Sequence, residues 1–484
     1  MYKVIPIIHV LSKLGILFAL VLTIPAGVAL WFADGTFQAF ASTAAATLLG
    51  SLLICLLTLK HHQELRVRDG FTLVVMLWLG FAAISAMPFY WYLPNIGYTD
   101  AFFEAISGLT TTGATVFVGL DKLEPTLNFW RHMMNWLGGM GIIVLAVAIL
   151  PLLGVGGTQL FKAEIPGIDK DNKMAPRISQ TAKRLWQVYL FFTVLVAIAL
   201  RLSGMTWFDA ICHAMSTFSL GGFSTYDNSI ANFDSVAVES VIMLGTILGG
   251  MNFACHFGAA REKSLKPYWR NEEVRIMLLV LCASILAAAI YLSYADYYDF
   301  ADALRYTAFN FVSIGLANGF ANADFGQWPL IVTLWMFFLA NVLANTGSMG
   351  GGIKLARAIV LAKFSLREVS LLLHPNAVKT VKLNRRSVSE RMAMAVMAFI
   401  FVYFMTVVVF TLALLASGMD FVSALTATIA CITNAGPGLG AVGPAYNYAM
   451  LSDVQKWLCS AVMLLGRLEI FTVFILFTPA YWKK

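Results

Sequence analysis

Ten apolar runs, most of them near or above the ~20 residues that cross a hydrocarbon core, recur from end to end of this chain. They cover residues 14–32, 38–59, 71–93, 128–152, 185–203, 235–257, 274–294, 328–362, 392–416 and 454–478. Only helices and closed barrels satisfy every backbone polar group in lipid, and runs of this length suit helices. Composition agrees: 59% of the residues are hydrophobic and only 12% charged, where soluble domains carry about 25%. The first run exceeds a signal-peptide core in length and reads as an uncleaved span.

Alternate loops sort the charges. Most of the 33 Lys and Arg residues fall on one side, around Lys3, Lys60, Lys162, Arg261, Lys354 and Lys483. The positive-inside rule makes that side cytoplasmic, with both termini on it. The opposite side holds Lys122, Arg131, Arg201, Arg305 and Lys456 against a larger set of carboxylates, Asp100, Asp121, Asp227 and Asp324 among them. That excess either concentrates cations at an entrance or forms a solvated rim. The six cysteines fall singly in apolar segments and the seven histidines are scattered. Neither pattern is a disulfide framework or a metal site. An intramembrane enzyme would need a catalytic constellation at membrane depth, and the sequence offers none. The glycine-rich run 436–443 lacks the Lys-Ser/Thr of a phosphate loop.

Four outward stretches repeat one pattern: TDAFFEAISGLTTTGAT, FDAICHAMSTFSLGGFST, ADALRYTAFNFVSIGLANGFAN and MDFVSALTATIACITNAGPGLG. Each starts at an aspartate (Asp100, Asp209, Asp302, Asp420), continues through helix-compatible residues and ends at a glycine (Gly113, Gly222, Gly319, Gly436). The last two have longer lead-ins. With their bracketing spans they predict four pore repeats, 67–165, 166–262, 263–374 and 375–484, preceded by two helices within 1–66. Such repeats pack around an axis, each supplying one wall of a site. Polar backbone survives at membrane depth only where protein buries it or it lines a water-filled cavity. A short helix re-entering from outside points its negative end inward. Glycine then lets the following carbonyls turn one way, toward a dehydrated cation. The predicted fold is an all-α polytopic membrane protein with ten transmembrane helices and four pseudo-symmetric membrane–pore–membrane repeats around a cation pore. Its filter walls are Thr110, Thr111, Thr112 and Gly113; Ser219, Leu220, Gly221 and Gly222; Leu316, Ala317, Asn318 and Gly319; and Thr433, Asn434, Ala435 and Gly436.

The motifs GLTTTGAT, GGFSTYDNS, NTGSMGGGIK and NAGPGLG together resemble the Trk/Ktr/HKT superfamily of potassium transporters, in its bacterial TrkH/TrkG-type branch. The resemblance covers essentially the whole chain. It implies potassium uptake across the inner membrane, potassium bound at the filter and no organic cofactor in this chain. It also implies a homodimer and a cytoplasmic, nucleotide-binding RCK/KTN-type (TrkA-like) regulatory subunit, and no nucleic-acid partner. In the family, glycine at the key filter position goes with K⁺ selectivity and serine in the first unit with Na⁺. Gly113, Gly222, Gly319 and Gly436 therefore favour potassium. The third wall departs from the Thr-rich pattern, reading Leu316-Ala317-Asn318-Gly319. A filter specifies the ion better than the energy coupling, so a symporter coupling K⁺ to H⁺ or Na⁺ is the alternative.

The run 328–362 is far longer than one span needs. Its glycines each destabilise a helix by roughly 1 kcal/mol relative to alanine. A broken helix is expected there, with Thr346, Gly347, Ser348, Met349, Gly350, Gly351 and Gly352 as a loop beneath the filter, unless the glycines serve packing alone. The resemblance implies that this loop is the gate. Arg467 sits mid-span, where a charge normally faces protein. The family carries an arginine near the pore below the filter, so Arg467 is expected to contact the loop and raise a barrier to cations. An ion pair with Glu469 is the competing role, disfavoured because residues two apart point to different sides of a helix. Lys354 is grouped with the gate residues, unless it instead snorkels to the cytoplasm. Asn252 either lines the lower pore or makes a packing hydrogen bond. The longest cytoplasmic segments, around 156–183 and 363–391, suit partner docking or anionic lipid headgroups equally.

Overall fold

The computed structural model describes residues 4–61, 65, 67–149, 174–377, 379–384 and 386–482. Six helices are long and apolar enough to cross a membrane: Ile5–Phe32, Phe37–Thr58, Arg68–Tyr92, Lys183–Leu202, Glu272–Tyr294 and Glu390–Ala416. Two more crossings are bent pairs, Val236–Gly250 with Phe253–Glu262 and Asp453–Arg467 with Ile470–Phe477. Helix Pro125–Ile149 and the shorter Leu330–Val342 occupy the remaining two predicted positions. Leu56, Leu244, Leu279 and Phe401 are more than half exposed on helix flanks, where lipid tails replace water as solvent. Among the described residues the sole sheet is a short hairpin, Lys382–Leu383 against Arg386–Ser387.

Four short helices follow the first span of each unit: Tyr98–Leu109, Trp207–Ser219, Phe300–Gly315 and Phe421–Thr433. Their residues Phe103, Phe218, Phe309 and Ile432 are fully buried. Acidic groups sit at the N-termini, where they meet the positive end of the helix dipole. Asp100, Asp209 and Asp302 lie inside the first turn, while Asp420 is the N-cap and accepts from the Ser423 amide at 3.0 Å. Bonds to the Ser423 side chain and amide hold the Asp420 carboxyl below its usual range. Ser423 thus occupies the place of the other three aspartates, which explains the longer lead-in of the fourth unit. The third is longer because its helix has extra residues.

Packing closes these units into a ring. Helix Pro125–Ile149 lies against the pore helix Trp207–Ser219 of the next unit, and Val236–Gly250 lies against Phe300–Gly315. In the same sense Leu330–Val342 meets Phe421–Thr433, and Asp453–Arg467 returns to Tyr98–Leu109.

Among the described residues three second spans are broken, not one. The predicted break in the third unit is present: Leu330–Val342 stops, and a new helix, Leu355–Leu373, begins after the glycine loop. The runs 235–257 and 454–478, expected to be continuous, bend by 97° and 111°. In the first of these, Met251 is extended and the Asn252 side chain caps the next helix, accepting from Ala254 N at 2.8 Å. In the second, Glu469 takes a left-handed φ of 55° and starts a new helix. Hydropathy averaged over either run hides such a break, because both halves are apolar. The segment 156–183 lies largely outside the described residues.

Candidate cation filter and the loop beneath it

Every pore helix ends in the same backbone figure. The amides of Thr112, Gly221, Asn318 and Ala435 reach back to the carbonyls of Ser107, Ser216, Ser313 and Ala430 at 2.9, 2.8, 2.7 and 2.8 Å. One residue earlier, Thr111, Leu220, Ala317 and Asn434 have φ of 53°, 55°, 59° and 55°. They donate to Gly108, Thr217, Ile314 and Cys431. This two-bond figure caps a helix and usually places glycine in the left-handed position. A non-glycine residue held there costs of order 1–3 kcal/mol, which the surroundings must over-determine. The key glycines follow two residues on, again at positive φ: 79° for Gly113, 64° for Gly222, 100° for Gly319 and 83° for Gly436.

The four segments interlock around one axis. A Cβ on Gly113 would fall within 3.0 Å of the Gly221 carbonyl oxygen, and one on Gly222 would meet Asn318 O in the same way. Gly319 faces Ala435 O, and Gly436 faces Thr112 O, which returns to the first unit. Each key glycine therefore yields space to the carbonyl just before the key glycine of the next wall. A backbone oxygen of each wall lies against the key glycine of the wall before it, and the negative ends of four pore helices lie behind the ring. That is the chemistry of a site for a dehydrated cation. The third wall, whose sequence departs most, keeps the same signs of φ and the same place in the ring.

A buried ion pair holds the outer flank. Glu104 on the first pore helix meets Arg131 Nε at 2.7 Å with both side chains fully buried. The Glu104 carboxylate also accepts from the Thr115 hydroxyl and the Val116 amide, each at 3.0 Å. Arg131 Nη1 reaches Ser224 O at 3.0 Å and so ties the first wall's exit to the second's.

The glycine loop of the third unit lies directly under the filter. A Cβ on Gly350 would stand 3.1 Å from Leu316 O, and one on Gly351 would collide with Thr433 O. Met349 N and Asn345 N donate to Gly249 O and Gly250 O, while Phe253 N donates to Gly347 O. The second unit's break thus clasps the loop. Thr346 N donates to Glu273 at 2.8 Å. Arg467 donates to Met349 O at 2.9 Å and to Gly138 O at 2.7 Å. Glu469 pairs with Arg357 at 2.7 Å. Lys354 turns inward, its amine bonding Gly350 O and Ser348 O, so the alternative of snorkelling does not occur. Asn252, placed between pore lining and packing by sequence, is a helix cap beside Gly347.

Sequence reasoning missed Glu273 and the glycines of the second spans. Gly138 and Gly466 sit against Leu109 O and Ile432 O, and Gly249 would place a Cβ 3.1 Å from Phe218 O. The legible signal was a glycine in an otherwise apolar span after three of the four walls.

Residues 36–484 match the TrkH family, described as a cation transport protein. The chain belongs to that family. It is a transport protein of the membrane and not an enzyme. It is 43% identical to the Trk system potassium uptake protein TrkH of Salmonella typhimurium over 480 residues, 99% of each chain. It is 38% identical to the Trk system potassium uptake protein TrkG of Escherichia coli, over 88% of each. The crystal structure of the potassium transporter TrkH from Vibrio parahaemolyticus superposes with a TM-score of 0.89 at 40% identity, covering 99% of this chain and all of that one. The helical membrane fold described above is shared with that structure.

Proposed function

We propose that this chain conducts potassium into a bacterial cell across the inner membrane, through the filter formed by Thr110 to Gly113, Ser219 to Gly222, Leu316 to Gly319 and Thr433 to Gly436. The observation that carries this reading is the closed ring of four glycine-to-carbonyl approaches. Its oxygens belong to the backbone, whose geometry the strained caps fix. The relatives are known as potassium uptake proteins, which supports the choice of ion. Both termini face the cytoplasm, following the positive-inside asymmetry. The pore repeats run over 67–165, 166–262, 263–374 and 375–484.

The loop from Thr346 to Gly352, with Lys354 and Arg467, is the gate in this reading. Its backbone fills the exit below the third and fourth walls, and Arg467 places a positive charge beside the path. Opening requires the loop to leave Gly249, Gly250 and Arg467 together. A cytoplasmic nucleotide-binding subunit acting on 156–183 and 363–391, across a homodimer, supplies that force.

Ion flux into liposomes holding the purified chain tests the reading, comparing K⁺, Rb⁺, Na⁺ and Li⁺ under an imposed voltage, with and without the regulatory subunit. Uptake of K⁺ and Rb⁺ well above Na⁺, following the K⁺ gradient alone, is the expected result. Equal uptake of Na⁺ in both arrangements overturns it, and a reversal potential that moves with H⁺ or Na⁺ establishes a symporter instead.

A further inference from the structure

The third wall has no threonine, yet it holds the same backbone figure as the others. Asn318 supplies the reason. Its Nδ2 donates to Thr246 Oγ1 at 2.5 Å, across the boundary between the third unit and the second. Both residues are fully buried. The amide N–H of Asn318 is held by Ser313, and its carbonyl oxygen is the one that faces Gly222. Both the side chain and the carbonyl of Asn318 therefore answer to the second unit. Two of the other three boundaries use an amide too. Asn434 Nδ2 donates to Thr112 Oγ1 at 3.0 Å between the fourth and first units. Asn135 Nδ2 donates to Ser216 Oγ at 3.2 Å behind Gly221.

We infer that Thr246, which lies outside the filter on helix Val236–Gly250, is a positioning residue for ion selectivity: its hydroxyl fixes Asn318 and with it the Asn318 carbonyl. Sites built from first-contact groups lose precision when the residues behind them are loosened. Thr246 compensates in the third wall for the side-chain hydroxyls found in the first. The inference rests on the potassium reading above.

The test measures how K⁺ and Na⁺ protect the purified, detergent-solubilised protein against thermal unfolding, since an ion bound only by the folded state raises the unfolding temperature. This readout does not require an open gate. The K⁺-over-Na⁺ preference in half-protecting concentration is expected to fall about fivefold in Thr246→Val, the worth of one net hydrogen bond. Thr246→Ser is expected to retain it. The double variant Thr246→Val/Asn318→Leu is expected to lose no more than Thr246→Val alone, because both act through one bond. Thr246→Ala gives the same readout should valine not fold. An unchanged preference in the hydroxyl-less variant, an equal loss in Thr246→Ser, or multiplied losses in the double variant would each overturn the inference. A wild-type protein without K⁺ preference overturns the potassium reading itself, and this inference with it.

Discussion

The hydroxyl of Tyr448 donates a 2.8 Å hydrogen bond to the carbonyl oxygen of Gly436, the key glycine of the fourth wall. The Tyr448 amide donates to Thr115 O at 2.9 Å, just past the first wall. One buried residue thus joins the two walls at which the ring closes. Tyr448→Phe removes a single hydroxyl and keeps the ring that packs on Phe103. The expected cost is about 1 kcal/mol of stability and a reduced K⁺/Na⁺ permeability ratio. Bi-ionic reversal potentials read the ratio, and an unchanged value would mean that the Gly436 carbonyl is held by its own backbone alone.

The key glycines are constrained by conformation and by space together. Gly222 has a φ of 64°, which other residues reach at a modest penalty, whereas Gly319 at 100° is further from that region. Alanine at either would also strike a carbonyl of the next wall. Gly319→Ala is therefore expected to reduce flux and selectivity more than Gly222→Ala, with both below wild type by tenfold or so if strain of about 1–3 kcal/mol appears at the ion site. Flux in liposomes ranks them. The reverse ranking would show that the collision with Asn318 O, and not φ, sets the penalty.

The Glu104–Arg131 pair is fully enclosed, so removing one partner leaves a buried charge. Arg131→Met alone is expected to lower stability by about 3–5 kcal/mol, and the double change Glu104→Gln/Arg131→Met by less. Thermal unfolding of the solubilised protein measures both. If the double variant were the less stable, the bonds that the Glu104 carboxylate accepts from the Thr115 hydroxyl and the Val116 amide would matter more than its unpaired charge.

Much of this architecture could be read from the chain, for physical reasons that differ by element. Span length and the spacing of aspartate to glycine located the pore helices because lipid leaves few other ways to satisfy the backbone. The glycine that ends each of the four expected filter segments lies at positive φ, a local requirement that the chain itself makes legible. The bends after Gly250 and Arg467 were not legible: each depends on contacts with another unit, such as Phe253 N with Gly347 O, that no local pattern encodes. Asn318 looked like a departure from the filter pattern because its partner, Thr246, is remote in sequence. Lys354 illustrates the same limit. Its preference for water is a property of the side chain, but the loop carbonyls of Ser348 and Gly350 meet its amine first.

If the glycine loop is the gate proposed above, the contacts that clasp it predict what would open it. Arg467 bonds Met349 O and Gly138 O, so one guanidinium bridges the loop to the first unit from a helix end of the fourth. Glu273, 4% exposed, holds the Thr346 amide from the other side. Arg467→Gln keeps a donor but loses the charge and one of the two reaches. It is expected to raise basal K⁺ flux in liposomes about tenfold or more without the regulatory subunit, since a bond to a charged group is worth about 1.5–3 kcal/mol. Glu273→Gln, which still offers Thr346 a carbonyl oxygen, is expected to change flux far less, whereas Glu273→Ala should raise it. Flux unaltered in both Arg467→Gln and Glu273→Ala would mean that the glycine loop is fixed by the clasp of Gly249, Gly250 and Phe253 and that the two charged residues serve packing.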